Sequence, residues 1–323
     1  MKKRIIILGV VVLVVALAWS GGWLFLANQL RQQIDALAFA DGETSPQLTC
    51  ATLNISGYPF SVDVECVDAV VVSGDVMAEI PAVRASALIY RPNHVLASAR
   101  GPAQISDAFT GQQSELAWAE LNGSLRVENW RIARLSIVGS EVSWTDRLFG
   151  DALLAKADAL ELHLLDIPEM HDAERSLSAL AAYLRTQALD VPMMTLAAAD
   201  IELEAELSGL PDDLRRIGAE PILPLWQRNG GTLNLVSLRA KDASADLEAS
   251  GQVQLDDQGR PNGKIDISSA GVAERIGPMI EEPWRTLVLG TPGADGRHTN
   301  QLNFSNGNLS SGLVPITTMP PLF

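Results

Sequence analysis

The chain is poor in the residues that most often carry chemistry. It holds two cysteines and four histidines in 323 residues, and aromatic residues make up only 5%. The histidines (His94, His163, His171 and His298) are scattered, and no two stand at the H-x-x-x-H spacing that presents both imidazoles to one metal. No G-x-S-x-G, GK[ST] or strand-following G-x-G-x-x-G run occurs, so neither a nucleophile elbow nor a phosphate cradle is expected. Neither a metal nor a cofactor is expected. Basic charge is also scarce: 24 Lys and Arg face 39 Asp and Glu, a net charge of −15. Nucleic-acid binding needs a basic face, so nucleic acid is not expected as a partner, and the charge argues equally against a polybasic membrane-surface patch. The carboxylate pairs Asp212-Asp213 and Asp256-Asp257 fall where a turn or helix start is expected, positions that use Asp to hold the backbone.

What the chain does have is one long apolar run. No ionisable side chain lies between Arg4 and Arg31. Residues 5–27 as a helix would reach roughly 35 Å, enough for a hydrocarbon core of about 30 Å. Lys2, Lys3 and Arg4 precede it and hold the N-terminus in the cytoplasm, while Trp19, Trp23 and Phe25 suit the far interface. A signal peptide cleaved after Ala18, in the small-x-small pattern Ala16-Leu17-Ala18, is the competing reading. Apolar character resumes through Trp23–Leu26, which favours a retained anchor. Both readings export the remainder.

Gln47–Ser56 reads as a strand, Gly57-Tyr58-Pro59 as a turn and Phe60–Val72 as a second strand, in which Phe60, Val62, Val64 and Cys66 alternate with Ser61, Asp63 and Glu65. Tyr58 is midway between Cys50 and Cys66, so a hairpin centred there sets the two sulfurs opposite one another. A disulfide between Cys50 and Cys66 is expected, in keeping with an oxidising compartment.

Further strands are expected at Val83–Tyr90, Leu116–Asn122 and Ser124–Trp130 on either side of Gly123, Leu135–Trp144, Leu153–Leu165 and Thr195–Leu207, with a turn at Arg91-Pro92-Asn93. Trp118, Trp130 and Trp144 are expected to pack in the core. In Asp172–Leu189, Leu177, Leu180, Ala181, Leu184 and Ala188 recur at helical spacing behind Asp172 as N-cap, so a helix covering a sheet face is expected. Pro211 is expected to open a short helix through Leu214 and Ile217. Leu247–Leu255 and Ile265–Ile267 form a hairpin about Asp256–Arg260, a helical piece occupies Val272–Leu289, and the proline-rich Gly312–Phe323 lies extended.

Leu48-Thr49-Cys50, Gly57-Tyr58-Pro59-Phe60 and Cys66 after an N-terminal anchor resemble an uncharacterised family of alphaproteobacterial envelope proteins, known only as domain of unknown function 2125. Gly251–Asp256, Gly259–Gly263 and Gly307–Pro321 fit the same family. In general form the chain is also similar to AsmA-type envelope proteins, whose β-rich grooves are associated with lipid movement or outer-membrane assembly.

The expected protein is thus α+β and β-rich: a transmembrane helix followed by a mainly antiparallel, curved sheet with a few covering helices. Residues 1–4 form a cytoplasmic tail, 5–27 the span, 28–45 a juxtamembrane linker and 46–323 the exported domain. The expected setting is a bacterial inner membrane, with that domain in the periplasm. The expected role is non-enzymatic binding of lipid or of envelope proteins through an apolar sheet face. The alternative is an exported hydrolase with a carboxylate pair assembled by the fold, which needs only two suitably spaced carboxyls.

Overall fold

The computed structural model describes residues 2–43, 45–148, 150–216, 220–276 and 280–323. A single helix, α1, runs from Lys2 to Leu37. It continues through residues 28–37, so the segment expected as a linker begins as helix.

Everything that follows is dominated by one antiparallel sheet of 18 strands. These are β1 (Gln47–Ser56), β2 (Ser61–Ser73), β3 (Val76–Leu88), β4 (Arg91–Arg100), β5 (Ala103–Asp107), β6 (Gln113–Ala117), β7 (Glu120–Glu128), β8 (Arg131–Asp146) and β9 (Ala152–Asp166). Then come β10 (Leu177–Val191), β11 (Leu196–Pro211), helix α2 (Ile222–Arg228), β12 (Thr232–Lys241), β13 (Asp246–Leu255) and β14 (Pro261–Ala270). The chain ends with α3 (Val272–Ile276), α4 (Trp284–Leu289), β15 (Thr291–Pro292), β16 (His298–Ser305), β17 (Asn308–Ser311) and β18 (Val314–Thr318).

The pairing is a meander. β1 pairs with β2 and β2 with β3, β8 to β13 each pair with their successor, and β14 pairs with β16. Between β3 and β8 the chain forms a hairpin of two broken strands. β4 and β5 both pair with β3, while β6 and β7 both pair with β8. The break is built around Trp118, whose indole N–H donates to the Ala99 carbonyl at 2.8 Å and whose ring lies over Gly101.

Several elements differ from the sequence reading. Arg91-Pro92-Asn93 begins β4, and the turn falls two residues earlier. Gly123 does not separate two strands; it lies within β7, paired with Ala97 and Ile137. The expected helix at Asp172–Leu189 is β10, hydrogen-bonded to β9 on one side and β11 on the other. Its ladder carries register shifts at Ser178/Leu180 and Thr186/Leu189, and Ala188 is left-handed with φ of 50°. The extra residue lies on β11 at the first shift and on β10 at the second. Strand β10 carries apolar residues on both parities, Leu177 and Ala181 on one and Leu180 and Leu184 on the other, and together these imitate a helical period. Pro211 closes β11 rather than opening a helix, and a 3-10 turn follows at Leu214–Arg216; Ile217 lies outside the described residues. The helical piece at 272–289 is two short helices, α3 and α4.

Few side chains are fully buried, and most of those are small: Ala69, Ala82, Ala103, Ala157, Ala179, Ala199 and Ala205 among them. The accessible surface is 19511 Å², whereas a compact monomer of this mass exposes about 13,000 Å². The projecting helix accounts for part of the excess, and the breadth of a single-layer sheet supplies the rest. Trp130 and Trp144, expected in the core, are instead 55% and 44% exposed. Trp130 carries the Arg215 guanidinium over its ring, 4.6 Å from the centroid.

Helix α1 is fastened to the sheet at two levels. The Trp19 and Trp23 indoles donate to the carbonyls of Pro59 and Ser61, both at 2.9 Å, and Ser20 Oγ lies 2.7 Å from Tyr58 Oη. Beyond the helix end, Gln47 Nε2 donates to the Ala38 carbonyl and the Gly74 amide to that of Gly42. The helix therefore runs antiparallel along β1 and covers that edge, which would otherwise present unpaired backbone groups.

Candidate functional site

In an antiparallel ladder, residues directly opposite one another project from the same face. Following these pairs across the sheet gives one unbroken row: Ile55, Val64, Ala85, Ala97, Gly123, Ile137, Leu162, Leu184, Leu203, Leu238, Ala249 and Ile267. It takes one residue from each strand it crosses, and none is polar. At about 4.8 Å per strand it extends roughly 53 Å.

Two flanking rows repeat the pattern. Toward the Tyr58 end run Val62, Ala87, Val95, Leu125, Leu135, Leu164, Ala182, Ala205, Leu235, Gly251, Ile265 and Leu302. Toward the other end run Leu53, Cys66, Val83, Ala99, Leu121, Gly139, Leu160, Thr186, Ile201, Ala240 and Leu247, ending at Ser269 and His298. The alternate positions are of opposite character: Glu65, Arg84, Ser98, Asn122, Val138, Glu161, Arg185, Glu202, Arg239 and Glu248 form one row on the other face. Arg84 pairs there with Glu65 at 2.6 Å. The sheet thus has one apolar and one charged side along its length.

The apolar side is not sealed. The larger residues of the middle row, from Val64 through Ile137, Leu162, Leu184 and Leu203 to Ile267, are all only half-buried. Side chains of this kind in an ordinary two-layer core would be enclosed. The helix expected to cover them is itself strand β10. Helix α1 lies along β1, and α4 packs against β14, β16 and β18. At the far end the row meets Asn300, whose amide donates to the Leu287 and Val288 carbonyls of α4 at 2.8 and 2.9 Å. Helix α2 sits at the β11–β12 connection, where Trp226 donates to the Ser208 carbonyl at 2.8 Å. Among the described residues, therefore, helices border the apolar face at its ends and none lies over its middle.

Cys50 and Cys66 are joined by a disulfide, with Cα atoms 5.3 Å apart. The hairpin is centred differently from the expectation, however: Cys50 stands opposite Ala69 and Cys66 opposite Leu53. The ladder is interrupted between these pairs at Ala51 and Asp68, where Asp68 is left-handed with φ of 48°, and the bridge crosses that interruption diagonally.

The remaining polar candidates are spread over the molecule and bonded locally. Nε2 of His171 lies 2.7 Å from Asp166, His94 bonds Ser124 at 2.9 Å, and His163 stacks on Tyr183. Asp256 accepts the amides of Gln258 and Arg260 and pairs with the Arg260 guanidinium, so it fixes the β13–β14 turn. Asp213 is held by Arg215. Among the described residues no group of three or more His, Cys, Asp or Glu could hold a metal ion. What sequence reasoning missed was the continuity of the apolar face, because its central strand β10 carries apolar residues on both faces and so reads as a helix.

Residues 23–320 match the family described as an uncharacterized protein conserved in bacteria, DUF2125. The chain belongs to that family. The match covers the whole sheet and α1 from Trp23 onward. No curated protein and no solved structure matches the chain.

Proposed function

We propose that this DUF2125 protein is a non-enzymatic envelope component, held in a bacterial inner membrane by α1, whose open apolar face takes up lipid acyl chains. The observation that carries the reading is the set of three adjacent, largely apolar rows, whose larger middle-row side chains are half-exposed and over whose middle no helix lies among the described residues. Each methylene moved from water onto such a surface contributes about 0.8 kcal/mol, so even part of one acyl chain is worth several kcal/mol. Lys2, Lys3 and Arg4 favour a cytoplasmic N-terminus and a periplasmic sheet, and the Cys50–Cys66 disulfide suits that oxidising compartment.

A hydrolase would need a carboxyl group kept protonated as general acid. The carboxylates with displaced acidity point the other way: hydrogen bonds from Thr110, Gln104, Ala198, Arg260 and Thr286 hold Asp107, Glu115, Asp190, Asp256 and Glu282, respectively, below their ordinary range.

The test is mass spectrometry of the full-length protein extracted in mild detergent, beside Leu184→Asp. Phospholipid should accompany the unaltered chain. A carboxylate in the middle of the face should cut its recovery by about tenfold or more, the equivalent of 1.4 kcal/mol. Repeatedly lipid-free preparations would sink the reading, and a stoichiometric co-purifying protein lost in Leu184→Asp would assign the face to a protein partner.

A further inference from the structure

Helix α1 changes character at Trp19. From Ile5 to Trp19 its side chains are exposed on every side, whereas from Ser20 onward half-buried residues recur as Ser20, Trp23, Ala27, Leu30 and Ile34. That spacing of three and four is a single stripe, the one that docks along β1. The part of the helix free to be surrounded by lipid is therefore short. Fifteen residues, 5–19, reach about 22 Å, while a hydrocarbon core is about 30 Å thick and takes about 20 residues. The span must extend to about Leu24, and residues 19–24 are where the helix is bound to the rest of the protein. Trp19, Ser20 and Trp23 hold Pro59, Tyr58 and Ser61.

We propose that the β1–β2 and β3–β4 turns are embedded in the outer interface of the bilayer, so that the sheet stands on the membrane on these two turns. The partner surface is phospholipid at the boundary between headgroups and acyl chains. Tyr58, Phe60 and Tyr90 are 52%, 66% and 68% exposed, all on these turns. Aromatic rings favour that depth. Residues 57–61 and 88–90 carry no charge, and Arg91 follows directly, placed to meet a headgroup phosphate. Between the helix and the β3–β4 turn lies an apolar crevice of about 480 Å³, lined by Val15, Ala18, Trp19, Trp23, Leu26 and Ile89, at the depth of the outer leaflet. Because α1 lies antiparallel to β1, the strands run away from the membrane, and Phe109, 85% exposed, is at the opposite end of the sheet. Thirteen residues of β3 separate the two ends, about 40 Å.

The inference rests on α1 being retained. Its test uses the full-length chain in vesicles of phosphatidylethanolamine and phosphatidylglycerol, with a benzophenone-bearing amino acid placed singly at Phe60, Tyr90 or Phe109. After illumination, lipid adducts are read by mass spectrometry together with the mass of the N-terminal peptide. Adducts at 60 and 90, with none at 109, are the expected result, and an intact disulfide in each labelled chain verifies its fold. An intact N-terminus without adducts at 60 and 90 overturns the embedded turns while leaving the anchor standing. Equal adducts at all three positions overturn it as well. A chain beginning at Trp19 overturns both the anchor and the inference.

Discussion

Arg275 on α3 pairs with Asp242 in the turn between β12 and β13, and the Asp242 side chain is only 4% exposed. Burial opposes its ionisation, but the Ser244 amide, the Arg275 guanidinium and the Ala245 amide outweigh that cost and hold its pKa at about 2, below the ordinary 3.8. The pair closes one end of the sheet by fixing a turn to the helix that follows β14.

This arrangement predicts a pH dependence. A folded-state pKa below the unfolded one stabilises the protein fully above about pH 4, and the contribution is lost as pH falls through about 2. Asp242→Asn should therefore destabilise the protein by about 2 kcal/mol at neutral pH. Denaturant unfolding at pH 7 and at low pH measures it; a difference that does not shrink in acid would refute the assignment.

The Cys50–Cys66 bridge spans a sequence separation of 16. In the chain-entropy picture a loop of that size contributes about 3 kcal/mol. The double replacement Cys50→Ser with Cys66→Ser should lower the unfolding free energy by that order, and added reductant should then have no further effect. Unchanged stability would mean that the strands hold the hairpin without it.

Trp226 occupies the space where a side chain at residue 231 would project: a Cβ on Gly231 would overlap its indole ring. Gly231→Ala should cost about 1–3 kcal/mol through overpacking, and Trp226→Leu in the same chain should recover part of it. Thermal unfolding of the single and double variants reads the coupling. Strictly additive losses would count against this contact.

Trp23 makes the deeper of the two indole bonds to the β1–β2 turn, and its ring also stands edge-on to Tyr58, 5.7 Å between centroids. Trp23→Phe keeps an aromatic ring and removes the donor. The docked half of α1 should lose about 1 kcal/mol of protection, seen as faster amide exchange over residues 24–37 and no change in β10. Equal acceleration in both would show global destabilisation instead.

Hairpins with strict alternation were legible from sequence. Gln47–Ser56 is the expected strand, and Asp246–Leu255 follows its expectation within a residue, because Leu247, Ala249, Gly251, Val253 and Leu255 alternate with polar residues and the turn that follows carries Asp and Gly. Strand β10 was not legible, because it carries apolar residues on both faces, Leu177 and Ala181 on one and Leu180 and Leu184 on the other, at the spacing of a helix. The disulfide was expected from a hairpin centred on Tyr58, while the true centre lies between Pro59 and Phe60. The bond forms across an interrupted stretch that no periodicity announces. The apolar face was legible strand by strand, but its openness was not, since that depends on where the helices pack.

The meander has a consequence for how the protein comes into being. Nearly every strand finds its partner in the segment just before it, so closing each pair costs little loop entropy. A growing chain can add one strand at a time to an edge already formed, beginning with the β1–β2 hairpin beside α1. Among the described residues no late strand returns to β1 to complete the sheet, and the last strand, β18, adds to β17.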